Sequence, residues 1–279
     1  MKRISGTYVK GKKEVAFDCQ IPSSWDELSS QQFATIVQVF AYRKADPFVV
    51  STSLLTALFD ARNYHILHHL PEAELHALLP LTNFLFETRP PLKNPFPKVK
   101  IGKNVHHAPT ATLSNIGFGE WCFAYEFFRF YRHTGDDLWR DKLIATLYRQ
   151  RDSRKDIKAH DFDGDIRLPF NENVIDARTK HFAGLREDVK NAIVAWFQVA
   201  LDAVADSRPH LFPRRDPERL EPEPPTDQQP DGRTWLDVFR ELLGPKWGTI
   251  EQLKYTNAMF VLDELESLKV EYEKSKRKS

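Results

Sequence analysis

The fold is decided by the stretch Phe118–Tyr131, FGEWCFAYEFFRFY, which places eight aromatic residues within fourteen positions. No proline and, after Gly119, no glycine interrupts it, so the stretch predicts one continuous helix. Aromatic side chains recur at the spacing 3, 4, 3 along one face from Phe118 to Phe128, and four more lie on the other side. Such a helix must be covered on most sides, and we expect it at the centre of a core.

A stacking platform for nucleic-acid bases is the functional alternative for this helix. A platform of that kind needs basic residues between the rings, and only Arg129 lies inside the run. The aromatic stretch therefore predicts architecture rather than chemistry.

The pattern continues as helices towards the C-terminus. Gly135 is suited to end the aromatic helix, and Asp136 or Asp137 begins the next one after a short loop, which indicates antiparallel neighbours. After the charged stretch RQRDSRKDIKAHDFDGD, two more helices are expected, at about Asn173 to Leu185 and Arg186 to Ala205.

The N-terminal half begins with a predicted β-hairpin, whose strands Ile4–Val9 and Glu14–Gln20 need a host to pack against. In IPSSWDELSSQQF, Ser24 with Glu27 and Ser29 with Gln32 have the spacing of capping boxes, which predict a short helical turn and then a longer helix. The helices expected in this half are Ser30–Arg43, Pro47–Asp60 and Pro71–Glu87.

Two proline-rich segments interrupt the helical pattern. Prolines in residues 89–110 exclude a continuous helix and leave an ordered loop or a second hairpin, Lys98–Ile101 with Asn104–His107. Residues 207–233 carry seven prolines and three large apolar residues, too few to offset the entropy of ordering, so we expect a mobile loop or linker. Helices resume at Thr234, and Thr249 with Gln252 is expected to cap the final one.

These features predict a mainly α fold, a multi-helix single domain with a small N-terminal β-hairpin and a proline-rich mobile insertion. The 279 residues, 41% of them hydrophobic, can bury one large core. The expected organisation is a hairpin (1–20) packed on the body, a helical body (21–206), a loop or linker (207–233) and C-terminal helices that complete the body (234–279).

The charge balance limits the classes of partner, and the cysteines indicate the redox compartment. The 40 basic and 39 acidic residues balance, so no global field attracts a phosphate backbone or an anionic membrane, and a dedicated nucleic-acid binder is not expected. Cys19 and Cys122 lie far apart, which fits a reducing compartment without a disulfide framework. No stretch is apolar enough for a signal peptide or a membrane span, so we expect a soluble, cytoplasmic protein.

The motifs of phosphate-binding loops, dinucleotide sites, hydrolase elbows and zinc proteases are absent from the sequence. The segment DFDGDIRLPFNE is the nearest approach to an ion site. Its acidic residues hold positions 1, 3, 5 and 12 of a calcium loop: Asp161, Asp163, Asp165 and Glu172. Ile166 stands where that loop needs glycine, and the alternative is a hydrogen-bonded turn in which Arg167 pairs with the carboxylates.

Three histidines form the second candidate for a metal site: His65, His68 and His69. Histidines three or four positions apart on a helix can hold zinc. Glu72, Glu74 and His76 would have to complete the site, but Pro71 breaks the helical geometry. Exposed histidines at a helix end are the alternative.

A basic stretch from Arg149 to Lys158 raises the hypothesis of a nucleic-acid adaptor. Asp152 and Asp156 interleave with the basic residues, and a solvated charged face is the alternative.

Several segments in order along the chain together resemble one family: IPSSWDELSSQQF, FGEWCFAYEFFRFYRHTGDDLWRDKLIATLYR, DGDIRLPFNENVI, and TWLDVFRELLG with YTNAMFVLDELESLKVEYEKSKRK. They resemble uncharacterised proteins encoded in tail modules of phages and prophages of Bacteroidota. The resemblance implies a non-enzymatic virion component or a tail assembly factor that acts beside the tape-measure and tail-tube proteins. It carries over no catalytic residue.

The expected function is therefore tail assembly, chaperone-like, or a structural role in the virion, through contacts with other phage tail or assembly proteins in the host cytoplasm or the virion. The basic end of the final helix, the N-terminal hairpin and the insertion are the expected contact surfaces. No catalytic, cofactor-binding or metal residue is assigned, and no cofactor is expected. The alternative is a metal-dependent enzyme that uses either His65, His68 and His69 or Asp161, Asp163 and Asp165.

Overall fold

The computed structural model describes residues 1–41, 46–59, 63–160, 162–213 and 234–276. Across these residues the chain is mainly helical, with eleven α-helices, an N-terminal two-stranded β-hairpin and one three-stranded sheet. This is the predicted fold class. Most of the predicted insertion, residues 214–233, lies outside the described residues.

The chain forms two compact units. The first contains Met1–Pro95 and Glu187–Ala195, and the second contains Phe96–Arg186 and Trp196–Ser279. The predicted domain boundaries stay a prediction.

The first unit begins with the predicted hairpin, strands β1 (Lys2–Lys10) and β2 (Lys13–Ile21). Lys10 pairs with Lys13 across the turn, where Gly11 has a φ of +66°, a conformation that glycine adopts without strain. Tyr8 is buried and stacks on the ring of His69, so the hairpin is anchored within its own unit.

Four α-helices follow in the first unit: α1 (Ser30–Ala41), α2 (Pro47–Leu58), α3 (Glu72–Leu78) and α4 (Phe84–Glu87). Short 3₁₀ segments lie at Trp25–Glu27, Tyr64–His69 and Leu79–Thr82. The single helix predicted over Pro71–Glu87 is wrong. Pro80 has no backbone N–H to donate and its ring clashes with the preceding turn, so α3 ends just before it.

The two capping boxes predicted before α1 differ in outcome. Ser29 and Gln32 form the reciprocal box, each accepting from the backbone N–H of the other. Ser24 makes no side-chain cap, because Glu27 accepts instead from the backbone N–H and the hydroxyl of Ser23. The prediction that α1 continues to Arg43 reaches into residues 42–45, which lie outside the described part of the chain.

The second unit is built on the aromatic helix, α5 (Phe118–Thr134), which ends at Gly135 in the left-handed conformation. Phe118, Trp121 and Phe128 are buried, so the predicted core helix is confirmed. Helix α6 (Asp137–Leu147) follows, with the side chain of Asp136 as its N-cap.

The remaining elements of this unit include the second hairpin, strands β3 (Lys98–Ile101) and β4 (Asn104–His107), at the predicted positions. A short strand that the sequence did not reveal, β5 (Arg149–Gln150), pairs with β4. Helix α7 (Ile175–Phe182) lies wholly in the second unit, whereas α8 (Glu187–Asp206) contributes to both units.

Three helices form the C-terminal part: α9 (Trp235–Leu242), α10 (Ile250–Tyr255) and α11 (Ala258–Lys276). The prediction of one final helix from Thr249 is wrong, because the chain breaks between α10 and α11. The carbonyl of Thr256 accepts from the N–H of Phe118, and the side chain of Asn257 accepts from the first turn of α11. Among the described residues no helix is long and apolar enough to cross a membrane.

Candidate functional site

The charged stretch after α6 folds back onto the aromatic helix and forms a buried charge cluster of Glu120, Arg149, Asp165 and Arg167. Glu120 comes from α5, Arg149 from β5, and the other two residues from the loop that follows. Arg149 Nη2 lies 2.7 Å from Glu120 Oε2 and 3.1 Å from Asp165 Oδ2. Arg167 donates from Nη1 to Glu120 Oε1 at 2.8 Å and from Nε to Asp165 Oδ1 at 2.7 Å.

The cluster closes a ring in which each guanidinium bridges both carboxylates. Glu120, Arg149 and Arg167 are at most 2% exposed. Burial lowers the pKa of Arg149 to about 10, against the attraction of Glu120. For Arg167 burial acts in the same direction, but the attraction of Glu120 and Asp165 is stronger than the effect of burial. The pKa of Arg167 is therefore raised above its usual value. Two buried cations, held by buried Glu120 and partly buried Asp165, fix the loop to α5, which is a structural role.

The segment weighed as a calcium loop contains hydrogen-bonded turns, in which the side chains of Asp163 and Asp165 accept from the backbone N–H groups of Asp165 and Arg167. Asp163 binds Lys155 at 2.7 Å, Asp165 belongs to the buried charge cluster, and Glu172 binds Lys254 at 3.3 Å. Asp161, the first position of the predicted loop, lies outside the described residues. The pairing of Arg167 with a carboxylate of this turn is confirmed.

The three histidines of the second candidate lie in a 3₁₀ segment and contact two tyrosines, Tyr8 and Tyr64. The ring of His65 lies 3.3 Å from the hydroxyl of Tyr8, His69 stacks on Tyr8, and His68 packs edge-on against Tyr64. Over the described ranges, no group of three or more His, Cys, Asp or Glu residues is arranged to hold a metal ion.

A second feature of this unit, missed by the sequence analysis, is an apolar groove between α9 and α11, here called the C-terminal groove. Trp235, Val238 and Leu242 line one wall, and Leu265, Leu268 and Tyr272 line the other. Its volume is about 560 Å³. Leu211, just after α8, also lines it.

The α9 wall is fixed to the core by its aromatic residues. Phe239 stacks on Phe118 at 5.8 Å, and Trp235 packs edge-on against Trp121 at 6.1 Å. The backbone N–H of Trp235 donates to buried Glu126. The α9 wall is therefore a preformed surface that α5 supports from behind.

The α11 wall continues the apolar stripe that anchors this helix. Val261 and Leu262 are fully buried, whereas Leu268 is 47% and Tyr272 55% exposed. The spacing of Leu265, Leu268 and Tyr272 keeps the helical period, so the same stripe leaves the core and becomes the groove. Exposed large apolar residues in such a row mark an interaction surface more often than isolated ones do.

On the α11 wall some charged side chains have partners within the protein and others do not. Glu266 accepts from the backbone N–H groups of His210 and Leu211, and Glu273 binds the ring of His210. Lys269, Lys274 and Lys276 are exposed, and within the part of the chain that the structure describes none of them forms an ion pair. Glu271 is exposed as well, so acidic and basic side chains are balanced along this half of α11.

No protein-family model matches the chain, and neither a curated protein nor a solved structure shows significant similarity to it. Function is therefore inferred from the residues of these sites and from the resemblance of the four sequence segments.

Proposed function

We propose that the protein is a non-enzymatic, phage-derived component of tail assembly or of the tail itself, acting through contacts with other tail or assembly proteins. It would act in the host cytoplasm or as part of the virion. The observation that carries the proposal is the C-terminal groove, where a row of apolar side chains leaves the core and stays exposed. The resemblance of the four segments supplies the class of partner.

The distribution of charge supports the same proposal. The carboxylates of the buried charge cluster, Glu120 and Asp165, are bound by Arg149 and Arg167 and hold a loop in place. The groove, in contrast, combines aliphatic walls with the aromatic residues Trp235 and Tyr272, and aromatic residues of these types are enriched at protein interfaces.

The experiment is co-expression of the full chain with the proteins encoded beside it, followed by affinity purification. Stable co-purification with a tail protein at moderate salt supports the proposal. Retention of no neighbouring tail protein under any of these conditions contradicts it.

Elemental analysis of the purified full chain separates this proposal from the metal-dependent enzyme. We expect no metal in stoichiometric amount, and treatment with a chelator should leave the unfolding midpoint unchanged. One bound zinc or calcium per chain, lost when His65, His68 and His69 or Asp161, Asp163 and Asp165 are replaced by alanine, would favour the enzyme.

A further inference from the structure

The β3–β4 hairpin lies in a segment of the chain that carries positive charge and no acidic residue. Residues 96–119 contain Lys98, Lys100 and Lys103 but neither aspartate nor glutamate. In the whole chain, basic and acidic residues are almost equal in number, so this segment is a local exception to the charge balance.

The basic side chains lie on one face of the three-stranded sheet. Lys98 and Lys100 are exposed and alternate with buried Val99 along β3. His107 pairs with Lys98 across the hairpin and therefore lies on the same face. Burial lowers the pKa of His107, and repulsion from Lys98 and from Arg151, which follows β5, lowers it further. Together with Lys103 in the turn between the strands, these residues form what we call the basic face: Lys98, Lys100, Lys103, His107 and Arg151.

The three lysines and the arginine of the basic face are available to a ligand. All four are exposed, and within the residues that the structure describes none of them forms an ion pair. Their neighbours after β5 differ, since Arg154 binds Asp152 at 2.8 Å and Lys155 binds Asp163 at 2.7 Å. The uncompensated positive charge therefore lies on the hairpin and at its edge, rather than along the whole basic stretch that the sequence suggested.

The composition of the basic face favours a phosphate backbone over a protein as its ligand. Protein interfaces are depleted in lysine and depend on buried apolar anchors, whereas among the described residues of this hairpin only Val105 is a large apolar side chain that is exposed. Phosphate contacts need no such anchor, because binding is driven by the counterions that the lysines release. An anionic membrane would also attract these charges, but stable adsorption takes a second, apolar signal.

The spacing of the lysines fits a DNA duplex. Alternate residues of a β-strand are about 6.8 Å apart, which is twice the rise of about 3.4 Å per nucleotide along one strand of B-DNA. Lys98 and Lys100 can therefore lie opposite alternate phosphates. Proteins that bind single strands add aromatic platforms for the bases, and the basic face contains no phenylalanine, tyrosine or tryptophan.

We infer that the basic face binds the phosphate backbone of double-stranded DNA without reading its sequence. Lys98 and Lys100 contact one strand, and Lys103 and Arg151 extend the contact on either side. The inference goes beyond the proposed function, because it assigns a second surface that does not involve the C-terminal groove. Lysines on an edge strand such as β3 also discourage pairing with other strands, but that role does not require Arg151.

The test measures binding of the full chain to a fluorescent DNA duplex by anisotropy at increasing salt. Neutralisation of four phosphates predicts that the logarithm of the association constant falls against the logarithm of the salt concentration with a slope of about −3.6. The double variant Lys98→Gln with Lys100→Gln should lower the magnitude of the slope by about two and weaken binding at least about tenfold at about 0.1 M salt.

The matched control is the double variant Lys269→Gln with Lys274→Gln. It removes the same charge from exposed positions of α11, so it should keep the wild-type slope. Unchanged thermal midpoints confirm that both double variants fold. The inference is overturned if the wild type binds no duplex at low salt, or if the two double variants have equal slopes.

Three further outcomes assign the basic face to another ligand and also overturn the inference. Tighter binding of a thymidine single strand of the same length assigns it to single-stranded DNA. Binding of a polyglutamate peptide but not of the duplex assigns it to an acidic protein segment. Binding of phosphatidylserine vesicles but not of the duplex assigns it to a membrane surface. Co-purification with tail proteins is a separate readout, so a failure of DNA binding contradicts this inference and leaves the proposed function standing.

Discussion

Helices α5 and α11 lie in the same unit and carry similar apolar side chains, but only α5 is covered along its aromatic face. Trp121 is 1% exposed and Phe128 is 7% exposed, whereas Leu268 and Tyr272 on α11 are each about half exposed. The charged residues of the two helices differ in the same way: Glu120 of α5 is buried with two guanidinium partners, whereas Lys269 of α11 is exposed. In this unit the helix rich in aromatic residues therefore forms the core, and the helix whose apolar row stays exposed forms the candidate interface.

The largest effect on the free energy of unfolding is expected from a substitution in the buried charge cluster. Glu120→Gln leaves Arg149 and Arg167 without one of their two carboxylates in a buried site, and we expect a loss of about 5 kcal/mol in the free energy of unfolding. Glu264→Gln is the control, because Glu264 binds Lys246 on the surface and its loss should cost less than about 1 kcal/mol. Similar denaturant midpoints for the two variants would show that the cluster does not stabilise the core.

Truncation of apolar residues tests the division between α5 and α11. Trp121→Ala or Phe128→Ala should destabilise by about 3 to 5 kcal/mol, since each opens a cavity in a packed interior. Leu268→Ala and Tyr272→Ala should change stability by no more than about 0.5 kcal/mol. Near wild-type urea midpoints for the α5 variants, or large losses for the α11 variants, would reverse the comparison.

A smaller loss of stability is expected when the pH is lowered, because the titratable side chain of His106 is buried against Phe182. Burial, with repulsion from Arg178, lowers its pKa in the folded state below the unfolded value of about 6.5. The unfolded state then binds more protons below about pH 6.5, so the stabilisation present above that pH is lost as the pH falls through the folded pKa.

The measurement is the urea midpoint of the wild type and of His106→Gln between pH 7.5 and pH 5. The wild type should lose stability more steeply, and His160→Gln, at an exposed position, should keep the wild-type slope. Identical slopes for the wild type and His106→Gln would show that His106 does not couple protonation to folding.

The sequence predicted those parts of the fold that depend on local pattern. The uninterrupted aromatic run predicted α5, and Gly135 and Asp136 predicted its end and the next start. Pro80 was the local signal that should have divided the helix expected from Pro71. The local signal for the break between α10 and α11 was weaker, the N-cap residue Asn257, and the break is held by hydrogen bonds of Thr256 and Asn257 with distant Phe118 and Ser114.

The sites depended on contacts between distant positions and were harder to predict. The sequence suggested that Arg167 pairs with a neighbouring carboxylate, which is local, but it did not reveal Glu120 and Arg149, which approach only after folding. The two glutamates among the aromatic residues of a core helix, Glu120 and Glu126, were the available signal, since a buried carboxylate requires a partner. The apolar period of α11 was visible, but its exposure depends on which residues α5 and α9 cover.

The most direct test of the central claim, that the C-terminal groove is the surface through which the protein acts, is a comparison of co-purification between Leu268→Asp and Ile250→Asp in the full chain. Both changes place a carboxylate at an exposed apolar position of the same unit, one in the groove and one outside it. We predict that the wild type and Ile250→Asp retain the neighbouring tail protein and that Leu268→Asp loses it while remaining folded. Equal retention by both variants would contradict the account.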